Sequence, residues 1–176
     1  MIKNKKTCKE CNRPVFSKGL CKYHQPKKNY IKKTDFKTDD LDSLSLSQLK
    51  RVADYWLRVF LLHNQKDNTY LWCPIKNRTY HKDKMHVSHF IDRAVMSTRY
   101  DLDNCHLISE DSNVWDAQIS ADGYKSKHHK EYENWLRKEL GEERFEKLLE
   151  KSKTITIFAK KDYIETINYF KNARGQ

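Results

Sequence analysis

Two sets of residues in this 176-residue chain have types and spacings suited to chemistry. The first is Cys8, Cys11, Cys21 and His24, spaced Cys-x2-Cys-x9-Cys-x2-His. Zinc takes four tetrahedral nitrogen or sulfur ligands, and a Cys-x2-Cys knuckle lets two thiolates reach one ion. The lysines and arginines around the cluster favour the ionised thiols that bind metal. All four positions are filled by protein, so the zinc is expected to be structural. The second set is His86 and His89 in Met85-His86-Val87-Ser88-His89-Phe90, Asn104 and His106 in Asp103-Asn104-Cys105-His106, and then Asn113. Imidazoles exchange protons near neutral pH, and an amide oxygen is a hard donor that suits Mg²⁺ or Mn²⁺ better than zinc.

The spacing His89-x14-Asn104-x8-Asn113 resembles the HNH endonuclease motif in its H-N-N form. More closely, His86 to Asn113 is similar to a segment of phage NinG/Rap-type recombination nucleases, with Ser88-His89-Phe90 in place of their Gly-His-aromatic element. The stretch Asn104 to Asn113 stands in place of their Asn-x-His-x-x-Cys-x-x-Cys-Asn element. The resemblance covers roughly Tyr70 to Gly141. It implies a small ββα-metal core that hydrolyses DNA phosphodiester bonds, with a strand-borne His89 as general base. It also implies that Asn104 hydrogen-bonds near the base and holds its ring. Asn113 is then an oxygen ligand to a catalytic Mg²⁺ or Mn²⁺ that relieves charge on phosphate and leaving group. Arg93 and Arg99 flank the loop between His89 and Asn104. Arginine forks hold phosphate oxygens bidentately, so both are candidate DNA contacts.

The chain departs from that pattern in two places. Many members carry an acidic or histidine metal ligand directly before the base, where Ser88 stands here. His86 and His106 are the candidates to complete the shell; each also fits an ordinary packed or DNA-facing histidine, and His128 and His129 offer a further contact. Relatives commonly brace the fold with zinc on two Cys-x2-Cys pairs, of which only Cys73 is kept. Lys76, Ser109 and Ser112 occupy the other positions. The brace is expected to be lost and replaced by packing around Trp72, Trp115 and Trp135.

The elements that must position these residues are legible from periodicity. Leu46, Leu49, Val52, Ala53, Trp56, Leu57, Phe60 and Leu61 fall at three- and four-residue steps, predicting a helix over Ser43 to His63 with Ser45 or Ser47 as cap. Tyr70 to Cys73 and Arg78 to Tyr80 read as strands around a turn at Pro74 to Asn77, and Met85 to Phe90 as a third strand. Strand alternation puts Met85, Val87 and His89 on a different face from His86 and Ser88. Tyr100 to Ile108 reads as extended. A charged amphipathic helix follows from about Ser126 to Lys151 with a break at Gly141, and a last helix covers Asp162 to Lys171.

Hydrophobic residues make up 38% and charged residues 34%, so the core is small relative to the surface. The net charge is +11, and eleven Lys or Arg stand between Met1 and Thr34 against the single acid Glu10. A basic arm ahead of a nearly balanced domain is the footprint expected of a phosphate-backbone binder. The lysine-rich start has no apolar stretch behind it, and the most apolar run, near Trp56 to Leu62, is interrupted by Arg58. No membrane partner is expected. Clustered cysteines read as metal ligands in a reducing compartment, giving a cytoplasmic location, in a bacterial host cell or nucleoid.

The expected architecture is α+β: a zinc-binding module over residues 1–25, a basic and polar linker over 26–42, the nuclease domain with flanking helices over 43–151, and a helical extension over 152–176. The leading function is a metal-dependent endonuclease acting on duplex or branched DNA, in phage recombination and alongside recombination proteins. The alternative is a non-catalytic zinc-containing DNA-binding protein on a degenerate HNH scaffold, and a zinc module tethering the chain to a recombination protein ranks third. The charge pattern does not distinguish a nicking enzyme from a homodimer that makes double-strand breaks.

Overall fold

A computed structural model describes Thr7 and residues 40–65, 69–112 and 127–173, with side chains from His129 onward in the last stretch. The chain divides into two units, Met1–Thr38 and Asp39–Gln176, and the architecture below belongs to the second. It mixes helices with two small antiparallel sheets, an α+β arrangement. Among the described residues no helix is long and apolar enough to cross a membrane.

Helix α1 spans Leu46–His63. Ser45 and Gln48 form a reciprocal cap: the Gln48 amide N–H donates to Ser45 Oγ at 3.3 Å, and the Ser45 N–H to Gln48 Oε1 at 2.9 Å. Such a cap contributes about 1 kcal/mol by satisfying donors that the first turn leaves free. Leu49, Val52, Ala53, Trp56, Leu57 and Phe60 form the buried stripe. Leu46 lies outside the stripe, half-exposed at the first turn.

Strands β1 (Tyr70–Cys73) and β2 (Arg78–His81) form a hairpin with Cys73 opposite Arg78. Asn77 closes its turn at φ 52, in the left-handed region that asparagine tolerates better than most residues. A short 3₁₀ turn over Lys82–Lys84 leads into β3 (Met85–His89), which pairs antiparallel with β4 (Cys105–Ser109). Residues 90–104 connect these two strands.

Helices α2 (Lys127–Leu140) and α3 (Glu142–Ser152) are separated at Gly141, the expected break. Gly141 holds φ 75 and ψ 157, a conformation open essentially to glycine alone. Tyr132 and Leu136 of α2 and Phe145 and Leu148 of α3 bury against Leu71, Cys73, Met85 and Ile108 of the sheets. Helix α4 spans Lys160–Asn172 and buries Tyr163, Ile167 and Phe170. Phe170 lies 5.4 Å from Phe60 between ring centroids, so the C-terminal helix packs on α1 within the same unit.

Candidate active site

The loop between β3 and β4 is organised by one side chain. Asn104 is fully buried. Its Oδ1 accepts from the Ile91 N–H at 2.7 Å, and its Nδ2 donates to the carbonyls of Ile91 and Thr98 at 3.1 and 3.0 Å. An N–H on one side and two carbonyls on the other fix which way the amide points. Asn104 also extends the β3–β4 ladder, since its carbonyl accepts from the Phe90 N–H at 3.0 Å. The loop is thus tied at both ends and its middle by one residue. Its reach toward His89 is through the backbone at Thr98 and Arg99.

His89 ends β3, half-buried, with Nε2 3.0 Å from the Arg99 carbonyl. A carbonyl only accepts, so Nε2 carries the proton and, in the neutral ring, Nδ1 holds the basic lone pair. Burial lowers the His89 pKa from its ordinary value. The Arg99 carbonyl and Asp54 oppose that shift, and the charges of Arg99 and Arg93 reinforce it. The ring is therefore neutral at pH 7, the form a general base requires.

Arg99 departs from the sequence expectation. Its side chain is 5% exposed, and its Nη2 lies 2.8 and 3.0 Å from the two Asp54 carboxylate oxygens on α1. Its Nη1 donates to the Arg93 carbonyl. With its fork committed to Asp54, Arg99 is not free to hold phosphate; it anchors the loop to α1. Arg93 is exposed on that loop, so of the two arginines it is the one open to solvent.

His86 and His106 are not brought to His89. Residues opposite each other in an antiparallel pair share a face, and neighbours along a strand alternate. Ser88 pairs with His106 and His86 with Ile108, whereas His89 pairs with Cys105. His86, Ser88 and His106 therefore share one side of the hairpin, and His89 points to the other. His106 Nδ1 lies 3.0 Å from the Tyr132 hydroxyl, and Trp135 meets its ring edge-on at 4.9 Å. Burial lowers its pKa to about 4, against the opposing charge of Asp103. His106 is thus packed against α2 through Nδ1, on the side of the hairpin away from His89.

Among the described residues, no three or more His, Cys, Asp or Glu side chains gather as a metal site. Asn113, Cys8, Cys11, Cys21 and His24 lie outside the described residues, as do Trp115 and the side chain of His128. His129 stacks on Phe90, with centroids 5.0 Å apart.

Of the tryptophans expected to replace the zinc brace, Trp135 packs on the core and Trp72 does not. Trp72 is 54% exposed. The retained Cys73 instead donates to Ser109 Oγ at 3.3 Å and accepts from the Ser109 N–H at 3.3 Å, and Ser109 Oγ lies 2.9 Å from Ser112 Oγ. Three of the four positions that carry cysteine in the resembling families therefore meet in one buried hydrogen-bonded chain. Trp135 packs on the helical side of the core instead, beside His106 and Tyr132.

Asp54 and Tyr100 were missed by sequence reasoning. Tyr100 Oη lies 3.2 Å from both Arg99 Nε and Asp54 Oδ1. Asp54 sits on α1 beside the buried Ala53 with only helical periodicity as context, and no motif marks it. Compared with known proteins, the chain matches no family model, no curated protein and no solved structure.

Proposed function

We propose that this protein is an HNH-type endonuclease that hydrolyses DNA phosphodiester bonds, with His89 as general base and Asn104 as the residue that fixes its loop. The observation that carries this reading is the pairing of a proton-bearing His89 Nε2 on the Arg99 carbonyl with a fully buried Asn104 that pins the same loop. The convergence of Cys73, Ser109 and Ser112 supports the same register of resemblance.

In this reading His89 Nδ1 takes the proton of the attacking water, and Arg93 meets the phosphate backbone. The divalent ion that the HNH resemblance implies would stabilise charge on the phosphate and leaving oxygen, with Asn113 as its expected ligand. Cys8, Cys11, Cys21 and His24 would hold a structural zinc, and the lysines around them in sequence would supply phosphate contacts.

The test is cleavage of duplex, single-stranded and branched DNA with Mg²⁺, Mn²⁺ or EDTA, by wild type and His89→Ala. Metal-dependent cutting that disappears in His89→Ala, with DNA affinity unchanged, is the expected result. Cutting that persists in the variant removes His89 as the base. The strand register, which puts His86, Ser88 and His106 on the side of the hairpin away from His89, favours one competing reading, a non-catalytic DNA-binding protein on the same scaffold. That reading gains if folded wild type binds DNA and cuts none of the three substrates.

A further inference from the structure

A cluster of charged and hydroxyl groups that the proposed chemistry does not use ties the β3–β4 loop to α1. Asp54 grips the guanidinium of Arg99 through Nη2 and, at 3.3 Å, through Nε. Tyr100 Oη braces the pair and also lies 3.4 Å from the Lys50 carbonyl, a second tie to α1. The backbone of the same Arg99 carries the carbonyl that receives the His89 Nε2–H and, at 3.2 Å, the Cys105 Sγ–H. Peptide units are planar, so anchoring the Arg99 side chain and flanking backbone restricts where that carbonyl points. Asn104 restrains the preceding unit through the Thr98 carbonyl. Other ionisable groups facing this cluster are Arg93 and Asp101 on the loop and Tyr163 of α4.

We propose that Asp54 is a positioning residue for His89: by clamping Arg99 to α1, it holds the Arg99 carbonyl where it fixes the imidazole as the Nε2–H tautomer with Nδ1 open. The structural half stands on the contacts above; the catalytic consequence rests on the endonuclease reading. A clamp of this kind acts on the orientation of the base and leaves DNA contacts alone. Its loss lowers kcat roughly 10-fold or more, the usual effect of removing a partner that orients a functional histidine, with KM little changed.

The experiment uses the full chain labelled with ¹⁵N-histidine, and long-range ¹H–¹⁵N spectra recorded above the titration range of the ring, with the His89 signals assigned by His89→Gln. Wild type is expected to show the proton on Nε2. Asp54→Asn should show shifts averaged between the two tautomers, Asp54→Glu should restore the wild-type pattern, and kcat for DNA cleavage should follow the same order. A folded Asp54→Asn that keeps a pure Nε2–H ring, or keeps wild-type kcat, overturns the proposal. Arg99→Lys, which retains one ion pair but not the fork, is the second variant. Failure of both variants to fold overturns it too, by assigning the pair to stability alone. If tautomer averaging appears but wild type cuts no DNA, the clamp stands and the endonuclease reading falls.

Discussion

Replacing Asn104 separates what its amide holds from what its volume fills. Asn104→Ala leaves the Ile91 N–H and the carbonyls of Ile91 and Thr98 without their partner. Each stranded buried group costs about 1–3 kcal/mol, so with three of them urea unfolding should show a loss of about 3 kcal/mol or more. Asn104→Asp should be no milder at pH 7, because a carboxylate oxygen would face two carbonyls. Wild-type stability after Asn104→Ala would mean the loop is held elsewhere. The histidines predict how the domain answers to acid. His106 is lowered from 6.5 to about 4 by burial, so the unfolded chain takes up its proton first as pH falls. The stability it contributes is whole above pH 6.5 and is lost as pH falls toward 4. The loss is on the order of 1–3 kcal/mol, and His106→Gln should flatten that part of a stability-against-pH curve. His89 is lowered as well, so the acid limb of cleavage should fall below pH 6.5 rather than above it. A kcat profile that begins to drop well above that pH would point to another base.

At the scale of elements, Gly141 sets the corner between α2 and α3 by conformation alone. A Cβ there meets nothing within 4 Å, so Gly141→Ala tests the backbone without a clash. At φ 75 and ψ 157 the strain should cost about 1–3 kcal/mol, read as a lower Tm with unchanged helix content. A neutral substitution would show that the corner relaxes freely. That break was legible in the sequence because glycine at a discontinuity in an amphipathic pattern has few other meanings. Helix α1 was legible for a similar reason: its stripe repeats at helical steps, and Ser45 with Gln48 three residues on is a local signal. The β3 alternation that separates His89 from His86 was legible too, because a strand's period follows from its geometry. What was not legible depends on which element faces which. Arg99 reads as a phosphate fork until α1 places Asp54 against it, and a sequence shows charges without showing their partners. Trp72 was expected to fill the missing brace because tryptophans are usually buried, yet the hairpin turns it outward and brings Cys73 to Ser109. The candidate base and the loop asparagine came from a motif, and the clamp behind them came only from the fold.

At the scale of the molecule, charge is divided unevenly between the two units. The first 38 residues carry twelve Lys or Arg against the two acids Glu10 and Asp35, whereas the remainder carries twenty-three against twenty-two. The described hydrophobic core draws its residues from Leu41 onward, and α4 closes on α1 within that unit. A chain beginning at Asp39 should therefore fold, with a Tm close to that of the full chain. If it binds DNA as proposed, it should nevertheless lose most of that affinity. Binding that depends on neutralising phosphates weakens with salt, the slope of log K against log salt falling by roughly 0.9 for each contact removed. If about half of the first unit's cations touch the backbone, deletion of residues 1–38 should reduce that slope by roughly 3–6. Because His89 and its loop stay in the second unit, kcat at saturating DNA should be retained while KM rises. The full chain and the 39–176 fragment, titrated with one labelled duplex at several salt concentrations, decide the matter. A large fall in slope assigns backbone binding to the first unit. An unchanged slope assigns it to the second, where exposed Arg93 on the β3–β4 loop is the first residue to replace.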